Sequence, residues 1–357
     1  MSFRKKTIRD IDVNGKVVLV RVDYNVPMQN GVITEDMRIR SSLPTLQYLK
    51  EQGSQKIILI SHLGRPDGEV KPEFSLAPAA QKLAELLPNE TVKFVDACYG
   101  EKVQAAVSEL PTGGILMLEN LRFFPDEEAD SVEFAQQIIA STGAEIFVQD
   151  GFAVIHRAHA STDAIAKQLP AVAGFLVEKE VTSLEGAITN PEHPLLVIIG
   201  GAKVADKEPM IATFLPIADM IAVGGKIAAD GYQSQDGKVY VAQDFATDEN
   251  GVKLDIGSDS ITEIVHMVSQ AKTIVWNGTL GMVEDPRFAA GSLEVAKAMG
   301  HSQATTIIGG GDTAGFVEGL AAQDDSLKYS LISTGGGASL ELLSGKKLPG
   351  LEVLQDN

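Results

Sequence analysis

The stretch from Thr305 to Gly315, TTIIGGGDTAG, restricts the fold more than any other part of this chain. Apolar and β-branched residues run directly into three glycines, then Asp312, Thr313 and a helix-like sequence. The pattern predicts a buried parallel strand that turns into a helix N-terminus with no side chains over the turn. Unpaired N–H groups at a helix start, backed by the positive end of the helix dipole, form a place for an anion. Ser330 to Leu340, SLISTGGGASL, repeats the pattern. Two such turns, expected on neighbouring strands of one sheet, predict a surface that holds phosphates. The alternative is a pair of glycine-rich turns that serve chain geometry alone.

The rest of the chain supplies sheets for such turns. Strand-like runs occur at 16–22 (KVVLVRV), 56–60 (KIILI), 92–95, 114–118 (GILML) and 146–148, and again at 195–199 (LLVII), 220–223, 239–242 and 273–276 (TIVW). Helical periods fall between them, at 44–52, 78–87 and 132–141. This alternation marks an α/β fold with mostly parallel sheets, and the continuous apolar runs predict strands covered on both faces. At 357 residues the chain exceeds one ordinary core, which predicts two domains. Val177, Val181, Leu184 and Ile188 lie on one helical stripe, so 177–188 reads as a helix joining two domains or, alternatively, as a surface helix of the first.

Ligands of parallel sheets bind beyond the carboxyl ends of the strands. In the first half these ends carry Asp23, Asn25, His62, Arg65, Arg122 and Arg157, with Arg38 expected in the loop after the first strand. Eight of the nine arginines lie at or before position 157. A formal charge of −18 argues against nucleic acid or an anionic membrane as a partner. Arginines gathered in one half of so acidic a chain predict a local anion site, chance drift in Lys/Arg usage being the alternative. In the second half glycines replace arginines: Gly200-Gly201, Gly224-Gly225, Asn277-Gly278 and the two GGG turns. Lys203 follows one such pair, a setting from which it could reach a transferring phosphoryl group, an ordinary solvated lysine being the alternative.

Other chemistries find little support. No G-x-x-x-x-G-K-[ST] loop and no G-x-S-x-G elbow is present. Gly309 to Ala314 fits the dinucleotide fingerprint G-x-G-x-x-A, but the next strand ends in Thr334 where a ribose-binding acid belongs. His156-Arg157-Ala158-His159 lacks the companion ligands of a zinc site, so anion contacts or structural hydrogen bonds are expected of its histidines. The single cysteine, Cys98, excludes an internal disulfide, the opening MSFRKKTIRD has no apolar signal core, and no stretch has the apolar length of a membrane span. The expected compartment is the cytoplasm.

Seven motifs, taken in order, closely resemble those of the phosphoglycerate kinase family. They are RVDYNVP (21–27), SHLGRPDG (61–68), ENLRF (119–123), GGAKVADK (200–207), VWNG (275–278), IIGGGDTA (307–314) and STGGGASLELL (333–343). The resemblance implies two Rossmann-like three-layer α/β/α domains: 1–173 with 342–357 binding 3-phosphoglycerate, a connecting helix at 174–190, and 191–341 binding nucleotide. It implies a phosphotransferase with a carboxyl acceptor, moving a phosphoryl group reversibly between 1,3-bisphosphoglycerate and ADP in glycolysis, with Mg2+ accompanying the nucleotide. By position Asp23, Asn25, Arg38, His62, Leu63, Gly64, Arg65, Arg122 and Arg157 would bind the glycerate. Gly201, Lys207, Asn277, Glu284, Gly310, Gly311, Asp312 and Thr313 would bind nucleotide, Asp312 would hold the metal, and Lys203 and Arg38 would stabilise the moving group. The attacking oxygen is already anionic, so no general base is needed, and closure about a hinge near the connecting helix would exclude water. A monomer is the family expectation.

The chain also departs from the family. It is several dozen residues shorter, and much of the loss is expected between Gly225 and Leu254, beside the adenine pocket. Thr279 stands at the proline of WNGP, and Asp150 to His156 reads DGFAVIH rather than DAFGTAH. Altered base preference or weak ADP affinity is the expected consequence. The alternative reading is a catalytically weak, phosphoglycerate-kinase-like binding or regulatory protein.

Overall fold

The computed structural model of the chain describes residues 3–357, the side chain of Val204 excepted. Met1 and Ser2 of the opening stretch lie outside the described residues. The chain divides into two compact units, one running to Lys179 and resuming at Lys347–Asn357, the other Glu180–Lys346.

The first unit contains β1 (Val17–Arg21), β2 (Met28–Gln29), β3 (Val32–Ile33), α1 (Met37–Glu51), β4 (Lys56–Ile60), α2 (Ala77–Leu86), β5 (Val92–Phe94), α3 (Glu101–Glu109), β6 (Gly114–Met117), α4 (Pro125–Glu128), α5 (Val132–Thr142), β7 (Ile146–Gln149) and β8 (Ala171–Ala173). Helix α6 (Phe175–Thr189) then carries the chain across the boundary at Lys179. The sheet is parallel, with order β5-β6-β4-β1-β7-β8. Every side chain of β1, β6 and β7 is buried, which is why these segments read as unbroken apolar runs.

The second unit contains β9 (Leu195–Ile199), α7 (Val204–Phe214), β10 (Met220–Val223), α8 (Gly225–Ala229), β11 (Val239–Val241), the hairpin β12 (Phe245–Thr247) and β13 (Lys253–Ile256), α9 (Ser258–Gln270), β14 (Thr273–Asn277), α10 (Ala290–Gly300), β15 (Thr305–Gly309), α11 (Gly311–Gln323), β16 (Leu331–Ile332) and α12 (Gly336–Leu343). Its parallel sheet has the order β11-β10-β9-β14-β15-β16. Renumbered within the unit this is 3-2-1-4-5-6, the dinucleotide-fold order, whose switch point lies between β9 and β14. The first sheet follows the order 3-4-2-1-5-6 instead, but it too reverses direction beside its first strand.

Two sequence expectations need correction. The helix expected at 44–52 begins at Met37, so Arg38 sits in the first turn of α1 and not in a loop. Proline favours the first turn of a helix, and Pro44 opens the span expected from periodicity. Here it lies inside the helix, and the burial of Ile39, Ser42, Leu46 and Leu49 at helical spacing holds the earlier start in place. The second GGG turn is also not a bare copy of the first. Glu180 Oε1 accepts hydrogen bonds from Thr334 N and Thr334 Oγ1 at 2.7 and 2.9 Å, so a carboxylate of the chain itself already occupies that strand end. The tandem arrangement itself is present: β15 pairs with β16, and a Cβ at Gly336 would overlap the backbone of Gly311.

The last helix, α13 (Pro349–Glu352), returns the chain to the first unit. Lys5 is buried and donates to the carbonyls of Glu352 and Leu354, each at 2.9 Å, and to Asp356 Oδ1 at 2.7 Å. Lys6 N donates to Gln355 O at 2.8 Å, and Asn357 N to Arg4 O at 3.0 Å.

Asp150, just past β7, introduces a pH dependence. It is fully buried, its Oδ1 accepts from Leu176 N at 2.9 Å, and Oδ2 has no hydrogen-bond partner among the described residues. Burial pushes its carboxyl up from 3.8 to about 7, the Thr45 hydroxyl and the amides at the start of α6 offsetting only part of that. Between pH 4 and 7 the folded chain therefore holds a proton that the unfolded chain has lost. Stability falls as pH rises through this window and stays lowered above it. Asp150→Asn cannot ionise and keeps an acceptor for Leu176 N. Thermal unfolding should show the variant more stable than the parent at pH 8, by up to about 4 kcal/mol, with the gap closing toward pH 4. An equal offset at both pH values would refute the assignment.

Among the described residues no helix is long and apolar enough to cross a membrane.

Candidate active site

In the first unit the loops after β1, β4 and β6, with the start of α1, bring Asp23, Asn25, Arg38, Leu63, Gly64 and Arg122 of the expected glycerate residues into one hydrogen-bonded cluster. Beyond β1, the buried Asp23 receives Arg38 on Oδ2 and the amide of Asn25 on Oδ1, at 3.2 Å for the latter. Asn25 Oδ1 in turn accepts from Gly64 N at 2.9 Å, tying the loop after β1 to the loop after β4. Asn120 ties the latter loop to the one after β6. Its Oδ1 accepts from Leu63 N and Arg122 N at 3.2 and 3.0 Å, and its Nδ2 donates to the carbonyls of Leu63 and Phe74 at 2.7 and 2.9 Å. Every atom of this buried amide is thereby used, which fixes its orientation. Gly64 has φ +63°, and a Cβ there would overlap the Phe74 ring, so the close turn requires glycine.

Arg65, Arg122 and Arg157 line a cavity of about 520 Å3, with Asp67 and Glu128 also on its wall. Arg122 is held by NH1 donating to Gly64 O at 2.9 Å. Its Nε lies 3.0 Å from Glu128 Oε1 but makes no hydrogen bond among the described residues. Arg157 Nε donates to His156 Nε2 at 3.2 Å. His62 and His159 add no charge of their own. Burial, then the Arg21, Arg122 and Arg38 guanidinium groups, push His62 well below its ordinary value, and burial and Arg122 push His159 down to about 4. Both are neutral at pH 7, so the cationic field comes from arginine, which keeps its proton under these conditions. An anion with several oxygens suits this site better than a single-point ligand.

In the second unit the nucleotide candidates gather at the switch point. Gly200 and Gly201 follow β9, and Gly278 follows β14. A Cβ on Gly200 or Gly278 would overlap backbone of the opposite loop, so the two loops touch without side chains between them. Gly201 N donates to Thr279 O at 2.8 Å. The glycine pair was legible, but a contact that uses Thr279 only through its carbonyl leaves no signal in the sequence. Lys203 occupies the position before α7 and is exposed, and Lys207 one turn on is buried. Lys207 donates to Asn277 Oδ1, and since lysine only donates, Asn277 Nδ2 is left as a donor facing Gly309. That Nδ2 is buried and has no partner among the described residues. Gly310, with φ +90°, starts α11, whose first turn carries Gly311, Asp312 and Thr313. Thr313 Oγ1 accepts from Gly278 N at 3.0 Å, joining the β14 and β15 loops. Burial lowers the Lys207 ammonium, with Asp206 and the exposed Asp312 acting against it. Glu284 is exposed on the loop after β14, and among the described residues no hydrogen bond or ion pair ties it to this cluster.

The sequence alone does not single out Arg21, Glu127 and Ser161, which are buried and joined by hydrogen bonds through Ser161 Oγ. The available signal was a charged residue closing the otherwise apolar run of β1.

A family model described as phosphoglycerate kinase matches residues 8–241 and 228–346. The chain belongs to the phosphoglycerate kinase family. It is accordingly a kinase. Curated phosphoglycerate kinases of Roseiflexus sp. strain RS-1 and of Clostridium botulinum strain Eklund 17B are each 42% identical to it, over 398 and 403 aligned residues. The first alignment covers 99% of both chains and the second 100% of both. Among solved structures, phosphoglycerate kinase from Pyrococcus horikoshii OT3 superposes with a TM-score of 0.86 at 28% identity, and that from Coxiella burnetii with 0.79 at 32%. Each covers 98% of both chains. The aligned lengths exceed the 357 residues present here, so this phosphoglycerate kinase family member carries deletions. The two matched stretches overlap at 228–241, a segment that holds the end of α8 and β11.

Proposed function

We propose that the chain transfers a phosphoryl group reversibly between 1,3-bisphosphoglycerate and ADP, giving 3-phosphoglycerate and ATP. The convergence of Arg65, Arg122 and Arg157 on one cavity carries this reading, because it suits a small ligand with both phosphate and carboxylate oxygens. Asp23, Asn25, Arg38 and His62, with the Leu63-Gly64 turn, hold the glycerate beside them. Gly201, Lys207, Asn277, Gly310, Gly311 and Thr313 hold the nucleotide phosphates by amides, an ammonium and the free Asn277 Nδ2. Glu284 is assigned to the nucleotide by position alone.

The acceptor oxygen is a carboxylate or a nucleotide phosphate, anionic at neutral pH, so the chain need supply no base. Its work is to align the reacting oxygens and to offset charge on the transferred group. Arg38 and Lys203 do the latter. A metal that arrives with nucleotide needs one or two carboxylates and takes its remaining oxygens from phosphate and water. Asp312 fits this role: it is exposed in the first turn of α11, beside amides that a phosphate would meet. Bound there, Mg2+ would supply charge neutralisation on the phosphates. Shortening around α8 and β11 leaves base preference as the property most open to change. The working form is a cytoplasmic monomer.

The test is a coupled assay of purified protein with 1,3-bisphosphoglycerate and a panel of nucleoside diphosphates. Turnover with at least one of them is expected, and none with any would overturn the reading. Arg122→Ala should weaken 3-phosphoglycerate binding about 10- to 100-fold in calorimetry and leave nucleotide binding unchanged, as expected on losing a charge-assisted contact.

A further inference from the structure

Arg21 closes β1 with its whole side chain enclosed, 1% exposed. Each nitrogen of its guanidinium has a partner. Nε donates to Ser161 Oγ at 2.8 Å, NH1 donates to Val22 O, and NH2 lies 3.1 Å from His62 Nδ1. On its far side Ser161 Oγ donates to Glu127 Oε1 at 2.6 Å, and Ser161 N donates to Glu127 Oε2 at 3.1 Å. Glu127 is 0% exposed. Four residues from four parts of the chain thus form one buried line: Glu127, Ser161, Arg21, His62.

The direction of the last link follows from chemistry. A guanidinium has N–H donors and no acceptor, so the His62 nitrogen facing it must offer a lone pair. An imidazole that accepts on Nδ1 carries its proton on Nε2. The competing partner is Asp23, whose Oδ1 lies 3.9 Å from the same Nδ1 and would favour a proton there. That separation is beyond hydrogen-bond reach, and both Asp23 oxygens already accept from Arg38 and Asn25 N. The other ionisable groups acting on His62, namely Arg122, Arg38 and His159, also disfavour a second proton.

We propose that Arg21 is a positioning residue that fixes His62 as the tautomer protonated on Nε2, so that His62 presents an N–H donor to the bound anion. Arg21 itself stays out of the ligand's reach, anchored through Ser161 to the buried Glu127 carboxylate. A histidine with a free choice of tautomer would turn an acceptor toward the anion part of the time and repel it. The inference rests on the reading of His62 as a glycerate ligand.

Nitrogen-15 NMR of histidine-labelled protein reports the tautomer directly, and the parent protein suffices for the first measurement. His62 should show a protonated Nε2 and a bare Nδ1 from pH 6 to 8, with and without 3-phosphoglycerate. A protonated Nδ1 would overturn the proposal without touching the ligand assignment. In Arg21→Met the Nε2–H signature should give way to a mixture, the His62 titration should move upward, and 3-phosphoglycerate affinity should fall about tenfold. In a His62→Gln background the same Arg21 replacement should cost much less affinity, since the amide NH2 of glutamine does not depend on a tautomer. Ser161→Ala, which frees Arg21 at Nε only, should give an intermediate signature and serves if Arg21→Met does not fold. An unchanged tautomer in Arg21→Met or Ser161→Ala would sink the role of Arg21. An unaltered 3-phosphoglycerate affinity in His62→Ala would instead sink the ligand reading alone.

Discussion

Lys203→Ala is expected to lower kcat by about 10²- to 10³-fold, with either KM changed by less than about threefold. The lysine stands before the first turn of α7, and its side chain makes no capping hydrogen bond to that helix. A cation at a helix N-terminus faces the positive end of the dipole, where Asp, Ser or Asn would be the stabilising choice. Its presence is therefore unfavourable for the helix by a few tenths of a kcal/mol to about 1 kcal/mol. The alanine variant should melt at the same temperature as the parent or slightly higher while turnover collapses. That pairing separates a lysine that meets the transferred group from one that supports the fold. Turnover within threefold of the parent would remove Lys203 from the mechanism, and so would a loss of turnover that tracks a loss of stability.

Gly278→Ala should act through the opposite route, removing stability before any question of chemistry arises. Gly278 has φ +96°, outside the ordinary range of residues with a Cβ, and the added methyl would overlap the carbonyl of Gly200 across the switch point. Strain at such a backbone position costs about 1–3 kcal/mol. The overlap is with main chain, not with a side-chain tip that could swing away, so the β9 and β14 loops must separate. We expect a total loss above about 4 kcal/mol, among the largest single-residue effects known. Denaturant unfolding followed through Trp276, buried in β14, reports on this unit directly. A variant with an unchanged midpoint would show that the two loops do not need to meet.

These two positions also mark what the sequence discloses. Strands such as β1, β9 and β14 are visible because burial on both faces demands an uninterrupted apolar run, and their carboxyl ends are visible because glycine or charge interrupts it. α3 is hard to see for the reverse reason: only Val103 of its nine residues is buried, so its period is faint. The two-residue strands β2 and β3 have no buried residue to betray them. Strand order is set by pairings between distant segments, and nothing local distinguishes the order of the first sheet from that of the second. At the site, Arg38 was legible as a residue but not as part of α1. Glu127 and Ser161 were not legible at all, since both residue types usually face water and only the buried Arg21 explains them.

The pairing of Lys5 with the final residues has a consequence for biosynthesis. The unit that holds β1 to β8 lacks a part of itself until Lys347–Asn357 have been made, because those residues belong to it. The uninterrupted Glu180–Lys346 segment can therefore reach its finished form on the emerging polypeptide while the earlier-made unit still waits. Vectorial translation and order of completion run in opposite directions, and the emergence of Lys347–Asn357 is the event that seals the first-made half.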